Sequence, residues 1–231
     1  MARPRTFHFG LLFVIASFTA AGCDSQAGNP PTASIAGSGS LWSGSSSAKA
    51  AGLPAPKPKP DKQHPVAQIH TTTGDIIVRL DADRAPISVD NFLEYVESGH
   101  YDNTLVHQVL EKPSVILAGG FDPFQNEKPS REPIRNEARN GLKNVRGTIG
   151  MARSPDSIDS STCQFYINAA DNPQLDPRSD EPAGYGYAVF GQVVAGMEVV
   201  DRIAQSAVRD TDHLKHTPVE QVIIRWIHVE R

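Results

Sequence analysis

The sequence predicts a mainly β domain, an antiparallel barrel or sandwich with helical caps, and three observations predict it. Short apolar segments punctuated by turn residues fill the chain beyond residue 64. Only two stretches repeat apolar residues at helical spacing. Helices and strands do not alternate as a doubly wound sheet requires, and the chain carries no internal repeat.

Taken in order, PVAQIHTTTGDIIVRLD holds two alternating apolar runs around a Thr-Gly turn and reads as a hairpin. Pro86 to Ser98 reads as a helix, because Val89, Phe92, Leu93 and Val96 share one face. Pro86 suits its first turn and Gly99 follows its end. GMEVVDRIAQ gives a second helix with Met197, Val200 and Ile203 on one side. NTLVHQVL, SVILAGG, GTIGMAR, CQFYINA, GYAVFGQVV and VEQVIIRWIHV supply the remaining strands. The folded domain is therefore placed at 64–231, long enough for one sizeable core.

The residues before it have other work. Residues 1–22 carry Arg3 and Arg5, then an apolar stretch too short to cross ~30 Å of hydrocarbon, and so read as an export signal. Ala20-Ala21-Gly22-Cys23 resembles the bacterial lipobox, in which the cysteine is lipidated and becomes the new N-terminus; a plain cleaved signal is the alternative. Residues 23–63 then comprise the lipidated Cys23 and a linker. Its Gly/Ser half predicts flexibility, and PAPKPKP predicts a stiff polyproline spacer. These features place the domain on the extracytoplasmic (periplasmic) side of a membrane, anchored as a lipoprotein.

Cysteine usage agrees. The chain has two, so lipidating Cys23 leaves Cys163 as a free thiol and no disulfide framework. Cys163, in STCQFYIN, is expected to be a small buried residue rather than a nucleophile. Without residues 1–22 the chain retains 20 of its 22 basic residues against 26 acidic ones, which argues against a nucleic-acid partner. Asp212, His213 and His216 lie in a short loop with no further ligands, which predicts no metal site.

The stretch with most chemical content is TLVHQVLEKPSVILAGGFD, Thr104 to Asp122. A polar pair, His107-Gln108, interrupts a strand-like run, and Gly119-Gly120 closes it. His107 has two open readings, a core histidine satisfying backbone groups or a substrate contact. Gln164 is harder to assign to a core, since an amide on an apolar strand needs partners.

From TTTGDIIVRLDADRAPISVDNFLEYVESGHYDNTLVHQVL through IRNEARNGLKNVRGTIGMAR and STCQFYINAADNPQLD to GYGYAVFGQVVAGMEVVDRI, the domain resembles the cyclophilins, the cyclosporin-binding class of peptidyl-prolyl isomerases, and their bacterial periplasmic branch most of all. The resemblance covers 66–229. It implies a closed eight-stranded antiparallel β-barrel capped by two α-helices, no cofactor, and rotation about an Xaa-Pro amide. That rotation faces a barrier of ~18–20 kcal/mol and breaks no bond. It needs an apolar pocket for the proline ring and a donor that favours the twisted amide over the planar one.

Carried over position by position, the resemblance implies a catalytic set of His107, Gln108 and Gln164, with Gln108 standing where the family has an arginine. The substrate-binding set is Val115, Ile116, Ala118, Ala152, Tyr166, Leu175 and Tyr187. Counting back from Gly119-Gly120, past two extra residues near Glu111-Lys112, Val115 and Ile116 take the places of a phenylalanine and a methionine. Ala118 takes that of the glutamine bracing the arginine. Tyr166 replaces a phenylalanine. Gln174 falls where the family has an aromatic residue, which weakens the cyclosporin-contacting edge. Arg153 is a candidate substitute donor.

Two functions fit. One is a prolyl isomerase assisting the folding of exported proteins, slowed by the loss of the arginine. The other is a cyclophilin-like module that binds Xaa-Pro segments at the envelope with little or no turnover. Either takes exported polypeptides as partners, touches the membrane through its lipid, and is expected to be a monomer.

Overall fold

The computed structural model describes residues 64–230; the expected signal, the lipidated Cys23 and the linker lie outside the described residues. The chain opens with a hairpin of β1 (Val66–Thr71) and β2 (Gly74–Leu80). Its turn is closed by Thr71, whose Oγ1 accepts from the Thr73 and Gly74 amides, each at 3.1 Å. Helix α1 (Pro86–Glu97) follows, with Pro86 in its first turn. It has no side-chain cap of its own. Instead Glu137, 49 residues downstream of Ser88, accepts from the Ser88 amide at 2.8 Å, from its Oγ at 2.7 Å and from the Ile87 amide at 3.1 Å. A carboxylate there satisfies orphan donors and faces the positive end of the helix dipole. At the other end Gly99, with φ 66°, takes the left-handed conformation that closes the helix. Its amide and that of His100 donate to Val96 and Tyr95 carbonyls at 3.0 Å.

Strands β3 (Thr104–Glu111), β4 (Ser114–Ala118), β5 (Thr148–Met151), β6 (Phe165–Asn168) and β7 (Val189–Ala195) come next. Helix α2 (Met197–Ala204), a short pair β8 (Val208–Arg209) and β9 (Thr217–Pro218), and β10 (Ile223–Glu230) complete the domain. Eight strands close on themselves in the order β1-β10-β3-β4-β6-β5-β7-β2, and every pairing is antiparallel. Register shifts in the β1–β10, β2–β7, β3–β4 and β5–β7 pairings supply the bends that closure requires. The eight-stranded barrel and both helices stand as the sequence implied. The β8–β9 pair, two residues per strand, was below what apolar periodicity can signal.

The barrel interior is filled by aliphatic side chains around a cluster of rings. Phe92 of α1 lies 5.3 Å from Tyr101, 5.6 Å from Phe165 and 5.4 Å from Phe190, centre to centre. These tilted and edge-on spacings are the favourable ones for aromatic pairs. Cys163 belongs to this core, and burial pushes its thiol up from 9.0 to about 11, so it stays protonated and inert.

Candidate active site

The site is built where β3 meets β4. Val106 pairs with Ala118 and Gln108 pairs with Leu117, so His107 is the extra residue of a bulge. Directly opposed residues share a face. Val106 and Ala118 therefore point inward together, and Val109 and Ile116, the next pair, do the same. Gln108 and Leu117 point outward. On that outer face Leu117 joins Val115, Ala152, Tyr166 and Leu175 in a second, smaller apolar cluster, with Leu110 and Tyr187 packed at its edge. The cluster residues are 5% exposed or less, whereas Gln108 and Tyr187 stand half-buried at the rim. Two clefts lie elsewhere, one of about 740 Å³ beside Thr72, Arg202 and Val222, the other of about 530 Å³ beside His64, Arg79 and Lys143. Neither includes a residue of this cluster.

Of the sequence-derived set, the fold assembles Val115, Ala152, Tyr166, Leu175 and Tyr187 and places Gln108 beside them. Gln164 lies next to them in the fold: the Ala152 amide donates to its carbonyl at 3.0 Å, and its side chain lies on Gly120. A Cβ at Gly120 would sit 2.6 Å from Gln164 Nε2, so any side chain there would displace the Gln164 amide.

Four of the residues singled out in the sequence, Ile116, Ala118, His107 and Arg153, lie outside the outer cluster. Ile116 and Ala118 belong to the barrel core, not to the outer cluster, because alternation along β4 forbids Val115 and Ile116 from sharing a face. Leu117, not Ala118, is the residue across from Gln108. His107 does not line the cluster. Its ring packs on Phe121 at 4.8 Å, its carbonyl accepts from Thr217 Oγ1 at 2.9 Å, and its Nδ1 has no partner among the described residues. Burial pushes its imidazole down from 6.5 to about 4, so it is neutral near pH 7 and holds no charge against a substrate. Arg153 cannot substitute for the missing arginine. It is 1% exposed and its guanidinium donates to the carbonyls of Gly186 (2.9 Å), Ser154 (2.7 Å), Ser157 (3.3 Å) and Pro182 (2.6 Å) while lying 4.7 Å over the Tyr187 ring.

The polar groups behind the cluster form a chain that sequence reading missed. Tyr166 donates its hydroxyl to Asn144 Oδ1 at 2.5 Å. Asn144 in turn donates to Asp176 at 3.1 Å and accepts from Asn168 at 3.3 Å. Asn172 links Asn168 Oδ1 (2.8 Å) to both backbone groups of Ser114, each at 3.0 Å. Exposed Gln174 donates to Asn172 Oδ1 at 3.1 Å. The hydroxyl of Tyr166 is therefore satisfied from behind, and its buried ring packs within the cluster, edge-on to Tyr187 at 6.2 Å. Among the signals in the sequence, the several asparagines between 136 and 172 were the trace of this network, but each alone reads as a turn residue.

A closed eight-stranded antiparallel barrel capped by two helices, with a second, buried apolar cluster on the outer face of its sheet, is a cyclophilin-like fold. The solved Cryptosporidium parvum cyclophilin type peptidyl-prolyl cis-trans isomerase superimposes with a TM-score of 0.59, covering 73% of this chain and 98% of that one at 24% identity. The family of cyclophilin type peptidyl-prolyl cis-trans isomerases matches residues 66–229, and the chain belongs to it. Similar proteins include peptidyl-prolyl cis-trans isomerase B of Escherichia coli, 44% identical over 160 residues that make up 69% of this chain and 96% of the relative. Peptidyl-prolyl cis-trans isomerase A of Dickeya dadantii is 43% identical over 155 residues, 67% of this chain and 79% of the relative.

Proposed function

We propose that this member isomerises Xaa-Pro bonds in exported polypeptides, from a position tethered to a membrane, and more slowly than members that carry an arginine. The observation that supports turnover is the pairing of Gln108 with Leu117 on one outer face. It sets a hydrogen-bond donor beside an apolar floor made by Val115, Ala152, Tyr166 and Leu175. A proline ring resting on that floor brings its amide within reach of the Gln108 carboxamide. Twisting the amide frees a lone pair on nitrogen, and a donor aimed there lowers the barrier only in the twisted state.

Slowness follows from charge. Hydrogen bonds to charged groups contribute roughly 1.5–3 kcal/mol and neutral ones about 1. The difference of about 1–2 kcal/mol is a rate loss of roughly 5–30-fold. The tether reading rests on Cys23 and the linker, and the mass of the mature N-terminus reads it: an unmodified Cys23 refutes a lipid anchor. A second reading, binding with negligible turnover, is favoured by the sequestration of Arg153, which leaves no cation facing the cluster among its named residues.

Exchange-type NMR on an Ala-Pro peptide separates the two. Catalysed exchange between cis and trans signals at substoichiometric protein supports the enzyme. Peptide shifts on binding with exchange at the uncatalysed rate establish a receptor instead.

A further inference from the structure

We propose that Phe124 is a second anchor for the polypeptide whose proline enters the outer cluster, taking an apolar side chain a few residues away along the same client; this rests on the reading above. Phe124 is 83% exposed, where the other exposed large hydrophobics among the described residues lie between 38% and 48%. A singly exposed apolar residue is ordinary on a protein surface. A phenylalanine held out on a rigid support beside a binding site is not.

The support is a small hairpin. Phe121 bridges to Glu127, the Asp122 amide donates to the Asn126 carbonyl at 3.0 Å, and the Gln125 amide donates to the Asp122 carbonyl at 2.9 Å. Asp122 fills the interior of the turn: its carboxylate accepts from the Phe124 and Asn126 amides at 2.9 Å and from Asn126 Nδ2 at 3.0 Å. Gln125 takes a left-handed φ of 66° at the bend. Two outside groups pin the apex, Gln221 Nε2 to the Pro123 carbonyl at 2.9 Å and Thr211 Oγ1 to Gln125 Oε1 at 2.8 Å. Every one of these bonds fixes backbone or polar groups, and none of them covers the Phe124 ring. Because the loop is already ordered, a ligand that docks on the ring need not order it, and preorganised aromatic anchors are the kind that dominate binding energy.

The base of the hairpin adjoins the candidate site. The Lys128 amide returns to the Gly120 carbonyl at 2.9 Å, and Gly120 lies against the side chain of Gln164, whose carbonyl accepts from the amide of Ala152 in the outer cluster. Phe124 stands four positions beyond Gly120, a reach of at most ~14 Å from the Gln164 edge of the cluster, which an extended client covers in about four residues. The anchor therefore selects an apolar or aromatic side chain two to four residues from the proline.

Titration of the full chain with three peptides tests this: a short Ala-Pro tetrapeptide, a longer one with phenylalanines spaced two to four residues from the proline on both sides, and the same peptide with serines there. Wild type is expected to bind the phenylalanine peptide roughly 3–10-fold more tightly than the serine peptide, the scale of an aromatic contact. Phe124→Ser is expected to abolish that preference and leave tetrapeptide affinity unchanged. Equal preference in wild type and F124S, or none in wild type, overturns the anchor while tetrapeptide binding keeps the proline site standing. Failure to bind even the tetrapeptide overturns both.

Discussion

The two faces of β4 are subject to different demands. Inward, Ile116 and Ala118 pack against Val106, Val109 and the ring cluster, where side-chain volume alone decides what is accepted. Outward, Val115 and Leu117 lie on Tyr166 and Leu175, backed by a hydrogen-bonded chain of asparagines and rimmed by amides. Four residues in an unbroken apolar run, VILA after Ser114, thus do two jobs in alternation. The difference shows that neighbouring positions with the same chemistry can belong to two separate packing environments, and that only the pairing register tells which is which.

The comparison is broken most severely by placing the same polar side chain on each face in turn. Ala118→Gln adds volume to a filled interior and buries an amide opposite Val106, with no partner. Overpacking and an unsatisfied amide together cost roughly 3–5 kcal/mol. For a domain of this size that is a fall in melting temperature of about 10 °C. Leu117→Gln faces the Gln108 amide across the strand pair and is expected to cost about 1–2 kcal/mol. Urea unfolding of the two variants reads the difference directly. Equal losses would mean the register has been misassigned.

His107 sits at the bulge where the inward and outward sets change places, and its burial gives a pH signature. Its folded value is about 4 against an ordinary 6.5, so between those limits the unfolded chain binds the extra proton. Stability then rises with pH across that window and falls as pH drops from about 6.5 towards 4, by about 3 kcal/mol when complete. Carboxylates titrate in the same range, so the measurement is the gap between wild type and His107→Phe in urea unfolding at several pH values. Wild type should lose ground to the variant steadily as pH falls below 6.5. A constant gap would show that the imidazole is not desolvated.

Much of this architecture was legible in the chain. Pro86 and Gly99 bracket α1 because a fixed φ and a left-handed φ are local requirements, visible without any partner. The strands announced themselves by length and punctuation. What failed was long-range. Glu137 caps a helix 49 residues away from Ser88, and nothing in its own neighbourhood says so. Counting back from Gly119-Gly120 puts the brace at Ala118, whereas the residue paired with Gln108 is Leu117. Strict alternation from Val115 would have put it at Leu117, but only the pairing across to Gln108 shows that register. Arg153 looked available because sequence shows a charge and not the carbonyls that surround it.

That register sharpens the smallest and most informative test. If an arginine and its brace are what the outer face lacks, they belong at Gln108 and Leu117. Gln108→Arg alone sets a guanidinium over a leucine, gaining charge without a fixed direction, and should raise kcat/KM on an Ala-Pro peptide by a few-fold. Adding Leu117→Gln supplies an acceptor on the opposed strand and should bring the gain to about tenfold, about 1.4 kcal/mol of transition-state stabilisation. The two changes should be more than additive, because the second acts only through the first. Pairing Gln108→Arg with Ala118→Gln should instead give no gain over Gln108→Arg and an unstable protein. A double variant at 108 and 117 no faster than the single would mean that direction does not limit this donor and that charge alone does.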